Sequence, residues 1–344
     1  MLTRRDAVHH LLRLGLIAPV DVANGSVSAT EYAGRNRLVQ VEVAGAAGYV
    51  VKEPQRPGTP DAATMWIEGA LYWMSANDAA FAELARWMPQ YYHYDDRNAL
   101  LTTELVAPAS SLYAVLYAGT AQPETLRELG HVFAVLHGPV SAGLEDRARK
   151  LFRTGPAWAI TLGTPQQIFA PANDAGRTVL QRVMEYPDAP AALARAREVW
   201  RDEHLIHGDA KSGNVLVRAD GSVRVIDWEI AAVGDGLWDV AGIVHSMLIP
   251  QYQTIEDLAA AERRARPLLD AFWDGYVAGL AHPPPGDDPR VTMLRLAGTR
   301  LVQTCLETTL YTDRIDTFLE GTLRMGLELM TRPELARARW EDAA

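Results

Sequence analysis

The stretch from His204 to Glu229 constrains this chain more than any other. It reads His204-Leu-Ile-His207-Gly208-Asp209-Ala-Lys211-Ser-Gly-Asn214-Val-Leu-Val, and later Val223-Arg-Val-Ile-Asp227-Trp-Glu229. Two short runs rich in Val, Ile and Leu have strand character and are joined by a turn at Asp220-Gly221. A loop bearing Asp209, Lys211 and Asn214 enters the first run, and Asp227 closes the second. Carboxylate and amide oxygens are hard ligands that suit Mg²⁺. Phosphoryl transfer asks for such a set, because it needs positioning and charge neutralisation more than covalent partners. One carboxylate must sit at the acceptor hydroxyl. A second carboxylate and an amide oxygen must hold the ion, and a cation must hold the phosphates.

The rest of the chain changes character once. The 344 residues, 48% of them hydrophobic, suffice for two lobes. A first helix with Thr3 and Asp6 as a capping box ends near Gly15. Strands are expected at Pro19–Ala23, Arg37–Val43 and Tyr49–Glu53, with a hairpin loop at Ala44–Gly48. A linker, Pro54–Pro60, leads to helices at Asp61–Met74 and Asn77–Met88, the second stopped by Pro89. Strands follow at Tyr91–Tyr94 and Ala99–Val106. Helices at Glu124–His137 and Ala191–Glu203 come next, and from Trp238 onward nearly everything reads as helix, broken at Pro283–Gly286. The expected architecture is α+β in two lobes. A sheet lobe preceded by an extra helix covers residues 1–106, and a helical lobe with the loop and acceptor site covers 107–344.

His207-Gly208-Asp209 with Asn214, then Ile226-Asp227-Trp228-Glu229, resembles the signature of the aminoglycoside phosphotransferase and choline kinase-like family, which has a protein-kinase-like fold. Asp239, in Gly236-Leu-Trp-Asp, resembles a further family aspartate that braces the catalytic loop. The resemblance implies that Asp209 orients or deprotonates the acceptor hydroxyl and that Asn214 and Asp227 bind Mg²⁺. It makes Lys52, in Tyr49-Val-Val-Lys52, the phosphate-binding lysine, steadied by Glu68 or, as the runner-up, Glu83. Thr103 becomes the gatekeeper, and Glu104 and Val106 offer backbone groups to adenine. Lys211 matches a protein-kinase lysine that reaches the γ-phosphate; a surface loop lysine is the equal alternative. No glycine-rich loop precedes Lys52, so Ser26 and Ser28 are what remains to cover the phosphates of ATP or GTP. His207 is read as structural.

The single cysteine, Cys305, excludes an intramolecular disulfide and a cysteine-cluster zinc site. With 33 basic and 43 acidic residues the charge balance argues against a nucleic-acid footprint. No run of 18 apolar residues suggests a membrane span, and a cytoplasmic location is the default expectation. The acceptor is expected to be a hydroxyl of a small molecule, aminoglycoside-like or an amino alcohol. The second candidate is Ser or Thr of a natural-product precursor peptide, where a partner enzyme would be expected. Glu307, Asp313, Asp316 and Glu320 are candidates to line a cationic acceptor site. The cluster Arg35-Asn36-Arg37 and the tyrosine-rich Tyr91-Tyr-His-Tyr-Asp-Asp keep the peptide open. A pseudokinase scaffold is the alternative from another class, and a zinc hydrolase using His204, His207 and Asp209 a third.

Overall fold

The computed structural model describes residues 2–34, 36–55, 60–144, 149–254, 258–284, 286 and 288–342. Residues 56–59 of the expected linker, Arg35 of the basic cluster and Pro285 of the late break lie outside them. In chain order the elements begin with helices α1 (Arg4–Arg13) and α2 (Pro19–Ala23). Strands β1 (Val27–Ala33), β2 (Asn36–Val43) and β3 (Gly48–Pro54) follow, then α3 (Pro60–Asn77) and strands β4 (Tyr91–Asp95), β5 (Leu100–Leu105) and β6 (Ala109–Ser111). Next come α4 (Leu112–Tyr117), α5 (Pro123–Val135), a short α6 (Ser141–Gly143), β7 (Arg153–Thr154), α7 (Asp174–Glu185) and α8 (Ala189–Val199). The motif region holds β8 (His204–Ile206), β9 (Val215–Arg218), β10 (Val223–Val225) and β11 (Ala232–Gly234). Five helices close the chain: α9 (Gly236–Thr254), α10 (Leu258–Gly279), α11 (Pro289–Thr308), α12 (Thr317–Thr331) and α13 (Pro333–Asp342).

The chain divides into two compact units. The first comprises Met1–Ser110 and Leu216–Ala231, and the second Ser111–Val215 and Ala232–Ala344. The first unit therefore takes a second segment that the division at 106 and 107 leaves out. The reason is local: β10 packs against the 3₁₀ turn Leu84–Trp87 of that unit.

The first unit is built on an antiparallel sheet of order β1-β2-β3-β5-β4. Successive side chains alternate across a strand. Val39, Val41, Tyr49, Val51 and Leu100 accordingly form one core with Leu2, Ala7 and Leu11 of the α1 region. Lys52, next to Val51 in the strand, points to the opposite face. Two expectations change here. Pro19–Ala23 is a helix, because Pro19 sits at its first turn and the Asp21 carboxylate accepts from the Ala18 N–H at 3.0 Å. The first strand is instead Val27–Ala33. The expected helix Asn77–Met88 is two 3₁₀ turns, the first capped by Asp78 through Ala80 N–H.

In the second unit α5 packs along α10, and α11 packs on α9 and α12. Val302, Cys305 and Leu306 of α11 share a core with Leu323, Leu327 and Met330 of α12 and with Val179 and Leu193. A small sheet of order β7-β11-β8 delivers the chain to His207. Among the described residues no helix is long and apolar enough to cross a membrane.

Candidate active site

Two sets of side chains form, one in each unit. In the first, β3 carries Lys52 and α3 carries Glu68. The Lys52 ammonium donates to Glu68 Oε2 at 2.7 Å and to Asp227 Oδ1 at 2.5 Å, with Glu229 Oε2 at 3.7 Å. Lys52 is 9% exposed and Glu68 2%, so the pair is genuinely buried. Glu68, not Glu83, is the partner of Lys52. Burial opposes the ammonium charge, but Glu68, Asp227 and Glu229 outweigh it and hold the lysine protonated well above its ordinary range. The same burial pushes the Glu68 carboxyl up to about 7 against the pull of Lys52.

Asp227 has φ of 68°, left-handed backbone that a non-glycine residue seldom adopts. This local strain sits where a functional carboxylate is expected. Asn36, at the start of β2, donates its Nδ2 to Glu229 Oε2, while its own Oδ1 is buried without a partner. Sequence reading gave Asn36 only a place in the cluster that keeps a peptide acceptor open, and took Glu229 only as a motif letter. Their contact spans 193 positions, which no local pattern can announce.

The oxygens of Glu68, Asp227 and Glu229 lie within 4.8 Å of one another and are the one described group with a metal-ligand arrangement. Three carboxylates against one ammonium leave surplus negative charge in a partly buried place, which a divalent cation relieves. All donors are hard oxygens, so the set fits Mg²⁺. His204, His207 and Asp209 form no such group among the described residues, which removes the basis of the zinc reading.

Thr103 is buried on β5. The Glu104 N–H is taken by the Gln90 carbonyl at 2.9 Å, and its carboxylate accepts from Arg218 Nη2 at 2.7 Å. Its carbonyl is then the group it has to offer. Val106 follows the strand and is also buried. Ser26 and Ser28 are not brought to Lys52. Ser28 is paired with Glu42 on β1, whereas Lys52 is level with Leu38, four positions further along β2. At about 3.4 Å per residue that is roughly 14 Å.

The second set hangs from the loop between β8 and β9. Asp239, fully buried at the start of α9, accepts from the His207 N–H at 2.6 Å and the Gly208 N–H at 2.9 Å. His137 Nε2 lies 3.2 Å from the same carboxylate, and the His137 Nδ1 is 3.1 Å from the Tyr276 hydroxyl. Trp238 Nε1 donates to the Gly208 carbonyl at 3.1 Å, and Gly208 takes φ of 82°. The loop is thus pinned through its backbone, and the His207 Nδ1 accepts from Asp209 N–H at 3.3 Å.

Asp209 is left facing three donors. Lys211 Nζ donates to Oδ2 at 2.5 Å, Arg300 Nη2 to Oδ1 at 3.0 Å, and Asn214 Nδ2 to the Asp209 carbonyl at 2.9 Å. Burial works against its charge, but Arg300 and then Lys211 lower the carboxyl to about 2. Arg300 is the residue sequence reading missed. It comes from α11, is 3% exposed, and holds its Cζ over the Trp238 ring, 5.0 Å from the centroid. The Asn214 amide spends its nitrogen on Asp209, which leaves its oxygen for an ion.

The four carboxylates nominated for a cationic acceptor are mostly committed. Asp316 caps α12 through Leu319 N–H, Glu320 pairs with Arg182, and Glu307 accepts from Gln303.

A model of the phosphotransferase enzyme family matches residues 31–276. Among solved structures, a choline/ethanolamine kinase family protein from Mesorhizobium loti has a TM-score of 0.57 at 17% identity, covering 98% of this chain and 99% of its own. An ethanolamine kinase of Plasmodium vivax has a TM-score of 0.57 at 13% identity, covering 97% and 89%. Choline kinase LicA from Streptococcus pneumoniae has a TM-score of 0.52 at 14% identity, covering 92% and 98%. At these identities the likeness speaks to the fold, which is the expected α+β, protein-kinase-like one. No curated protein sequence matches the chain.

Proposed function

This chain belongs to the phosphotransferase enzyme family, and from that premise we propose that it transfers the γ-phosphate of ATP or GTP, with Mg²⁺, to a hydroxyl of a small molecule. The observation that carries this reading is the Lys52 ammonium held among Glu68, Asp227 and Glu229. A cation so placed is ready for nucleotide phosphates, and the surplus carboxylates are ready for their counter-ion.

Asp227 and Glu229 would hold Mg²⁺, which when bound neutralises charge on the phosphates, and the Asn214 amide oxygen is the metal-ligating candidate of the second unit. Lys52 binds the non-transferred phosphates, and Glu68 fixes the direction of its ammonium. Asp209 accepts a hydrogen bond from the acceptor hydroxyl. Held at about 2, its carboxyl is a weak base, so its main work is to aim the hydroxyl oxygen at the phosphorus. Of its two cations, Lys211 is the more exposed, at 42% of its side chain against 4% for Arg300. Lys211 is therefore the one free to follow the γ-phosphate, while Arg300 stays with Asp209.

The small-molecule acceptor is preferred to a peptide because the polar residues that open β2 have interior work. Asn36 serves Glu229 and Arg37 lies 3.9 Å from Glu53. The test is single-turnover transfer from γ-labelled ATP with Mg²⁺, against antibiotics, amino alcohols and short Ser/Thr peptides. Asp209→Asn should slow transfer about a hundredfold or more with nucleotide binding retained. Asp227→Ala should weaken both. Loss of nucleotide affinity with turnover intact in Asp209→Asn contradicts the role of Asp209. A wild-type protein that neither transfers nor hydrolyses would establish the scaffold alternative.

A further inference from the structure

A cavity of about 310 Å³ lies within the second unit, lined by Arg153, Thr154, Trp158, Thr161, Gln166 and Arg197 among others. That volume is at the small end of what holds a metabolite-sized ligand. Its lining holds two guanidiniums, a glutamine amide and three threonines (the Thr161 and Thr164 hydroxyls donate to the Trp158 and Thr161 carbonyls, each at 2.7 Å), and no carboxylate. This runs against the trend of a chain with a net charge of −10. One wall is stiff: Trp158 stacks on Phe169 with ring centroids 5.0 Å apart and planes 13° from parallel. Arg197 is fixed by donating Nη1 to the Ile160 carbonyl at 2.8 Å, which leaves its other N–H groups for a ligand. Among the described residues neither Arg153 nor Arg197 pairs with a carboxylate. Asp202, bonded to the backbone of the lining residue Gly155 at 3.0 Å, also takes the Trp200 indole N–H at 2.8 Å.

The strand register places this wall. Arg153 on β7 is level with Ala232 on β11, and Ala232 with Ile206 on β8. Two strand spacings set the Arg153 backbone about 10 Å from Ile206. Ile206 ends β8, and the chain runs directly from it through His207 and Gly208 to Asp209. The arginine wall therefore begins at the end of the sheet from which the Asp209 loop departs.

We propose that this pocket binds an anionic group, carboxylate or phosphate, and that the group belongs to the hydroxyl acceptor. Guanidinium forks pair with such oxygens in two-point geometry, and the Thr154 hydroxyl and the Gln166 amide complete the polar shell. Calling the ligand the acceptor rests on the kinase reading; the preference for an anion rests on the pocket walls alone.

Glucuronate, glucose and glucosamine share one ring and differ in charge, so they report the preference directly. Their binding to the full chain, loaded with Mg²⁺ and a non-hydrolysable ATP analogue, is measured by calorimetry or saturation-transfer NMR. Glucuronate should bind roughly tenfold or more tightly than glucosamine, the size expected of one charge-assisted contact. Arg153→Glu, at an exposed position, should abolish or invert that order, and Arg197→Lys should keep more of it than Arg197→Gln. Equal binding of the three sugars, an order unchanged in Arg153→Glu, or no binding of glucuronate at about 10 mM, where a millimolar ligand saturates, overturns the proposal. Binding is read without turnover. Failure of the pocket thus leaves Asp209-dependent transfer standing, and failure of transfer leaves the pocket result standing.

Discussion

At the scale of single residues, the proposed transfer turns on how Asp209 is kept ionised and aimed. Arg300 reaches it across 91 positions of sequence, from a helix that motif reading treats as variable acceptor surface. Replacing Arg300 by Met should slow turnover by more than about tenfold, with the nucleotide KM nearly unchanged, because the phosphate set is untouched. In the wild type the carboxyl sits at about 2, far below any assay range, so kcat carries no ionisation of this group near neutrality. Without Arg300 the carboxyl should rise and the acid limb of the pH–kcat profile should move up with it. Arg300→Lys should recover part of both effects. A loss of rate in Arg300→Met with no change in the pH profile would mean that Arg300 only supports the fold. Lys52, Asp209, Asn214 and Asp227 could be nominated from sequence because each stands in a local motif, and Glu68 by its distance from Lys52, with Glu83 as the runner-up that the Lys52–Glu68 contact removes. The roles of Arg300 and Asn36 could not, since they come from long-range packing that no spacing encodes. Ser26 and Ser28 were misplaced for a related reason: with β1 unrecognised, Ser28 was read in a loop rather than in a ladder, and Ser26 precedes that strand.

At the scale of elements, alternation and length decided which readings held. The β2 and β3 runs alternate cleanly and carry a glycine-containing turn, so their hairpin was visible. β1 reads Val-Ser-Ala-Thr-Glu-Tyr-Ala, with its apolar positions weakened by Ser, Thr and Glu, and its pairing with β2 supplies what propensity lacks. α5, α8 and the helices after Trp238 were legible in existence, whereas α4, α7 and the close approaches between helices were not. A Cβ on Gly130 of α5 would stand 2.1 Å from the Phe272 carbonyl of α10. Gly130→Ala must push these helices apart, and should lower stability by on the order of 1–3 kcal/mol, seen as a drop of several degrees in a thermal melt. An unchanged melting temperature would show that the α5–α10 contact is looser than described. The same contact helps seat Tyr276, whose hydroxyl meets His137 behind the catalytic loop.

At the scale of the whole molecule, the α+β class and the change from sheet to helices were readable from composition and periodicity. The return of Leu216–Ala231 to the first unit was not, because it depends on where β10 packs rather than on any break in the sequence. That return puts Asp227 and Glu229 in the same unit as Lys52, although the chain first passes through Asp209 in the other. On the proposed function, phosphoryl transfer requires both sets. The most direct test is a double-mutant cycle on single-turnover loss of the ATP γ-phosphate, using Asp209→Asn, Asp227→Asn and the pair at saturating nucleotide. Each single change should slow the reaction about a hundredfold or more, and the pair should be no slower than the worse single change within about threefold. Losses that multiply in the pair, or a Asp209→Asn protein as fast as wild type, would contradict the claim.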